Sequence, residues 1–281
     1  MVKGKGEVTK GKTERRIKEG RGQGSGASYI PWIVVQDFSS KGQMSRESGW
    51  KTGRQHDLFS KQERNYFMNL EWSPMVIDIQ EQFPLFPLEE TVSIANQCGA
   101  THLVDGWTKE LDVITTDFLI TLARPVGTVK EARTVKMSKE LSDPDVIAKF
   151  EIERRYWGER GISWGIVTER EIDLFLARSV DWVHTFRSPS AVHPLSEKMI
   201  RRVGRNLAEM VINDDRPLSE IALDCDDLLG LKFGNSLMVA RHMIASKQWL
   251  VDMTKPVDPC RRLYLTGTSI AESSLLEAVA V

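Results

Sequence analysis

Residues 113–120 read VITTDFLI. Apolar and β-branched residues surround one aspartate, Asp117, as they do in a strand heading into a protein interior. An ionised carboxylate there costs several kcal/mol unless its charge is compensated. A hydrogen bond or an arginine is one solution, and a metal ion is another.

The neighbouring segments extend the pattern. EARTVKM (131–137) reads as a second strand, pairing with the first through a turn near Arg124–Gly127. MVIDIQEQFPL (75–85), IPWIVV (30–35) and ISWGIVT (162–168) read as further strands. LFSKQERNYFMNLEW (58–72) reads as a helix, with Ser60 as N-cap and Glu63 three residues on. A second helix is expected over 145–160, ending at Gly161. This alternation predicts an α/β domain over 29–168.

Beyond it the pattern is helical: 169–186, 194–212, a short 217–223 and 235–246. KQWLVDM, a proline-bearing turn and CRRLYL follow. Helices leading into a two-stranded ribbon give the order of a winged helix, or equally a small helical domain with a hairpin, over 169–266. Residues 267–281, small and apolar with two glutamates, read as a partner-binding tail.

The 281 residues carry 41% apolar and 27% charged side chains with net charge −1, so no global field draws the chain to nucleic acid. The charge is uneven, however. Residues 1–21 hold eight Lys/Arg against three glutamates, a basic arm of the kind that lies along phosphates. The glycine-rich EGRGQGSGAS (19–28) follows a charged arm, with no hydrophobic strand before it, and therefore reads as a mobile linker and not a nucleotide loop. Cys98, Cys225 and Cys260 are too few and too scattered for a disulfide framework or a zinc site, and the five histidines form no ligand pair. No signal h-region and no apolar run near 18 residues is present, so a cytoplasmic protein is expected, nucleoid-associated when assembled.

Four polar residues sit where apolar ones are expected. Asp117 lies in its strand, and Lys136 is bracketed as TVKM with Thr134 on the same face. Glu63 shares a helical face with Phe59, Phe67 and Leu70, and Glu153 with Phe150 and Trp157. Each has a local explanation: a capping box for Glu63, snorkelling for Lys136, and pairing with Lys149 or Arg154 for Glu153. One shared site explains all four. An inward Glu on a helix, an Asp on one strand and a Lys on the next is the layout of the PD-(D/E)xK, restriction-endonuclease-like nucleases. Carboxylates recruit Mg²⁺ there, and the lysine orients or deprotonates a water.

The sequence resembles the TnsA family, the endonuclease subunits of heteromeric Tns-type transposases. RRIKEGRGQG (15–24), YIPW (29–32), KTGR-x-H (51–56), NLEW (69–72), D-I-x-EQFPL (78–85), TTDFL (115–119) and IERRYW (152–157) carry the likeness. The resemblance implies a Mg²⁺-dependent nuclease, with Mn²⁺ as a substitute ion, cutting the 5′ ends of a transposon. Its partners would be transposon-end DNA, a DDE transposase subunit (TnsB) and an AAA+ ATPase regulator (TnsC), the latter through the tail. It places catalytic roles on Glu63, Asp117, Lys136 and Glu153, and metal contacts on Glu63, Asp117, Thr134 and, through its main chain, Val135. Thr134 stands where the family usually has Gln or Glu, a weaker and shorter ligand than a carboxylate. Candidate phosphate contacts are Arg15, Arg16, Lys18, Arg21, Lys51, Arg54 and His56. A non-catalytic DNA-binding subunit that recruits the ATPase, and a stand-alone nuclease of the same fold, are the alternatives.

Overall fold

The computed structural model describes residues 5–38, 43–106 and 108–268. They fall into two units, with the boundary between Ile172 and Asp173. The expected tail lies outside the described residues apart from Gly267 and Thr268.

The first unit is built on a four-stranded sheet in the order β3 (Val76–Pro84), β4 (Thr115–Arg124), β5 (Gly127–Val135), β6 (Ser163–Val167). β3, β4 and β5 run antiparallel. Arg124 pairs with Gly127 at the expected turn, and β5 pairs parallel with β6. A parallel neighbour requires a crossover, which is helix α4 (Pro144–Glu159). Its start is set by Asp143, whose carboxylate caps the Asp145 amide, and by Pro144, whose missing N–H is no loss in the first turn.

Two layers cover the sheet. On one face α3 (Leu88–Cys98) and α4 enclose a core of Leu85, Ile94, Ala95, Ile114, Leu119, Ala132, Ile152, Tyr156 and Trp157. On the other, α2 (Lys61–Trp72) brings Tyr66 edge-on to Phe118 of β4 at 5.6 Å and buries Phe67 and Met68 fully. A short antiparallel pair, β1 (Ser45–Ser48) with β2 (Gln55–Leu58), precedes α2. A mixed sheet between helices is the expected α/β arrangement.

In this unit α3, β1 and β2 have no counterpart in the sequence reading, and two segments adopt a structure other than the one expected. IPWIVV forms no strand. Trp32 is fully buried, lies edge-on to Phe86 at 5.0 Å and donates its amide to Gln82, and the chain then turns through Val35–Asp37. Proline and the demand for a buried indole outweigh β-propensity there. The glycine-rich stretch is a docked loop and no mobile linker. Gly24 O accepts from Gln80 Nε2 at 3.0 Å, and the Gly26 amide donates to Asp78. Gly22 and Gly24 have φ of 76° and 86°, and a Cβ on either would strike Pro84 or the Ser28 backbone, so glycine is required by contact as well as by conformation. Helix α1 (Lys5–Lys18) leads into this loop.

The second unit contains α5 (Leu174–His184), α6 (Glu197–Asn213), α7 (Leu218–Leu229) and α8 (Asn235–Ala245), then the antiparallel ribbon β7 (Trp249–Val251) with β8 (Leu265–Thr268). Helix α7 is a turn and a half longer than its sequence pattern indicates and ends at Gly230 in the left-handed region. The buried Asp226 caps the start of α8 by accepting from the Gly234 and Ser236 amides, each at 2.7 Å. No helix among the described residues is long and apolar enough to cross a membrane.

Candidate active site

Asp117 stands at a break in strand alternation. Thr116 meets α4 through Trp157, and Leu119, three residues on, packs in the α4 core, so the strict period of two fails between them. At the same level of β3, Gln82 adopts φ of 48°, a left-handed conformation unusual for a non-glycine residue. Gln82 accepts from Thr115 Oγ1 at 3.1 Å and donates to Asp117 Oδ1 at 3.3 Å. The Val135 amide donates to Asp117 Oδ2 at 2.7 Å. The aspartate is thus held from both neighbouring strands.

Glu63 lies in the first turn of α2. Its amide takes Ser60 Oγ as cap at 3.1 Å, while its carboxylate accepts from the Phe59 amide at 3.0 Å. The Ser60 cap therefore forms, but the Glu63 carboxylate reaches back to the amide before the N-cap, so the reciprocal capping box is not closed; the inward orientation holds, with Glu63 buried. Glu153, fully buried on α4, accepts at Oε2 from Thr134 Oγ1 (2.6 Å), Thr116 Oγ1 (2.8 Å) and Trp164 Nε1 (3.3 Å). Its Oε1 has no hydrogen-bond partner among the described residues.

Lys149, one turn before Glu153, places Nζ 3.6 Å from that oxygen. Burial opposes its charge, but Glu153, Asp117 and Glu63 outweigh burial and raise its pKa. The carboxylates answer in kind. Burial, then the charge of Asp117, pushes Glu63 up to about 8. Burial likewise raises Asp117 and Glu153, against the opposing pull of Lys149 on both. At all three carboxylates burial outweighs the favourable charge of Lys149.

Lys136 lines a cavity of about 470 Å³ together with Glu63, Val135 and Gln62. Its Nζ is 3.5 Å from Glu140, and its charge favours the ionised form of Asp117. The structure therefore brings Glu63, Asp117 and Glu153 into one electrostatic cluster, and sets Lys136 on the same cavity as Glu63. Thr134 is turned to another task, holding Glu153, and accepts from Trp164 Nε1 at 3.2 Å. Val135 contributes its main chain, as the donor to Asp117.

Among the described residues no three Asp, Glu, His or Cys side chains form a ready metal cage. The donor chemistry nonetheless fits a hard cation: oxygen ligands only, carboxylates held back from ionising, and the buried Glu153 Oε1 without a hydrogen bond.

The expected phosphate contacts fare unevenly. Arg15 and Lys18 face solvent. Arg16 is buried against Asp37 (2.9 Å), and Arg21 binds Asp37 and the Trp32 carbonyl. Arg54 grips Glu81 (2.7 Å), on which His56, fully buried, also rests at 2.8 Å. Lys51 donates to the Ser73 carbonyl at 2.7 Å. Arg54 and His56 thus tie β2 and the turn before it to Glu81 of β3, while Arg16 and Arg21 converge on Asp37 in the loop that follows Trp32. The sequence reading treated Lys149 only as a surface neighbour of Glu153, and it missed Gln82 and Thr116. The i, i+4 spacing was the one available signal for Lys149.

Two family models match the chain: "TnsA-like endonuclease N terminal" over residues 73–169 and "TnsA endonuclease C terminal" over residues 171–253. Transposon Tn7 transposition protein TnsA of Escherichia coli is 33% identical over 247 residues, covering 88% of this chain and 87% of that protein.

Proposed function

The chain belongs to the TnsA family of transposon endonucleases, and on that premise we propose that it is the Mg²⁺-dependent subunit that cuts the 5′ ends of a transposon. The observation that carries this reading is the gathering of Glu63, Asp117 and Glu153 around Lys149, with Lys136 on the cavity that Glu63 lines.

Asp117 and Glu63 are the side chains that would hold the ion, with the Val135 main chain beside them. When bound, Mg²⁺ supplies charge relief at the phosphate and a more acidic water. Lys136, the ammonium that also favours the ionised form of Asp117, would orient the attacking water and steady the negative charge that develops on the phosphate. Gln82 and the Val135 amide keep Asp117 from rotating, so its carboxylate is preorganised before substrate arrives. Glu153, bound to Thr134 and Thr116, fixes the strand ends that carry Asp117 and Lys136. The helices and ribbon of the second unit suit a winged-helix-like module, and the small-residue tail suits a docking peptide for the ATPase regulator. A DDE transposase subunit would join the 3′ ends.

A second reading has its own support. Thr134 in place of a Gln or Glu, and carboxylates already shared with Lys149, suit a non-catalytic subunit that binds DNA and recruits the ATPase. Labelled transposon ends incubated with the complete complex separate the two. Asp117→Ala and Lys136→Ala abolish 5′-end cleavage while DNA and partner binding survive if the nuclease reading holds. Undiminished cleavage by the Asp117 variant rejects it.

A further inference from the structure

Helix α6 of the second unit is strongly two-sided. Ile200, Val203, Leu207 and Val211 are buried along one stripe. The opposite stripe carries Lys198, Arg201, Arg202 and Arg205, all exposed, at i, i+3, i+4 and i+7. The exposed acids of the helix flank the row, Glu197 before it and Glu209 after it on the same face. Glu197 stands 3.6 Å from Arg201, with both side chains mostly in solvent, and Glu209 lies one turn beyond Arg205. No other ion pair to these four cations is present among the described residues.

Such a stripe works against its own helix. Like charges three and four residues apart repel, and Lys198 in the first turn faces the positive end of the helix dipole. The hydrophobic stripe alone accounts for the packing of α6, so the fold needs no such row of cations. Four cations held over about 10 Å of helix match the rise of roughly three phosphates along one DNA strand. Three of the four are arginines, whose planar fork takes phosphate oxygens two at a time, where a lysine is only a point charge.

We propose that this outward face of α6 binds the phosphate backbone of duplex DNA, independently of base sequence. Arg16, Arg21, Arg54 and His56, by contrast, already hold acids of the first unit.

The test uses the full chain with a random 30-base-pair duplex, in chelator so that no cleavage occurs, with fluorescence anisotropy followed from about 50 to 300 mM salt. Arg202→Gln/Arg205→Gln should weaken binding about tenfold or more at about 100 mM salt. It should also lower the slope of log affinity against log salt by about two. Arg202→Lys/Arg205→Lys should keep the slope, since the charge remains. The Gln variant should melt at or above the wild-type temperature, because repulsion has been relieved, so lost binding will not reflect a lost fold. Wild-type affinity and slope in the Gln variant overturn the proposal, as does a Lys variant that binds as poorly as the Gln one. A wild-type chain that binds no duplex also overturns it, and assigns the stripe to an acidic protein surface. Because the assay contains no metal, none of these results bears on cleavage at Asp117.

Discussion

Lys149 Nζ stands 3.6 Å from Glu153 Oε1, a buried carboxylate oxygen that takes no hydrogen bond from the described residues. Its charge is also felt at Asp117 and Glu63, so one lysine serves as internal counter-ion to three acids. A dication would compete with it for the same oxygens.

Lys149→Met removes the counter-ion and leaves the carboxylates facing one another. Breaking a buried pair can cost about 3–5 kcal/mol, but the Lys149 side chain is 36% exposed. A loss of about 1–3 kcal/mol at pH 8 is therefore expected in metal-free protein. The loss should shrink at pH 6, where the acids can protonate. Added Mn²⁺ should raise the melting temperature of the variant more than that of the wild type. Equal melting of the two metal-free proteins at pH 8 refutes the counter-ion role.

Glu63 gives stability an unusual pH dependence. Its carboxyl rises from the usual range to about 8 in the fold, first through burial and then through the charge of Asp117. Between its unfolded value and about 8 the folded chain holds the proton that the unfolded chain has lost. The contribution of Glu63 is thus greatest at low pH and is lost as pH rises through this window. Urea titrations of metal-free protein should show a loss on the order of 3–4 kcal/mol from pH 5 to pH 8. Glu63→Gln should flatten that slope. Mg²⁺ should do so too, because a bound cation favours the ionised form. A slope unchanged in Glu63→Gln assigns the effect elsewhere.

Thr134 separates a structural hydroxyl from a ligand. It gives Glu153 a 2.6 Å hydrogen bond. Thr134→Val keeps the shape, removes that donor from a buried carboxylate and should cost about 1–3 kcal/mol. Calorimetric Mn²⁺ affinity should change by less than about threefold, well under 1 kcal/mol, whereas Asp117→Ala should lose the ion altogether. A tenfold weaker Mn²⁺ affinity in Thr134→Val returns the residue to the ligand set.

Why the sequence revealed some of this and not the rest follows from the range of each signal. Alternation and capping are local, so β3, β4, β5, β6, α2 and α4 could be placed from pattern alone, as could the inward position of Glu63. The left-handed Gln82 and the broken alternation at Asp117 depend on one strand meeting another, and no local pattern records them. Trp32 looked like strand because its burial against Phe86 is a tertiary fact. The partners of the cation clusters were hidden for the same reason: Asp37 answers Arg16 and Arg21 across a loop, and Glu81 answers Arg54 and His56 from another strand.

That last cluster is open to a test of opposite sign to Glu63. Glu81 is fully buried. Burial alone would raise its carboxyl, but hydrogen bonds from Arg54 and His56 and their charges bring it down to about 2. A carboxylate depressed in the fold stabilises above its unfolded pKa, and that stability is lost as pH falls from the usual carboxylate range through about 2. Arg54→Gln strands the Glu81 charge and should cost about 3–5 kcal/mol at neutral pH, with less of the acid-induced loss remaining. If Arg54 is structural, the weaker fold should come with an unchanged salt slope for duplex binding, measured below the variant's melting temperature. A slope smaller by about one, without loss of stability, would instead make Arg54 a phosphate contact.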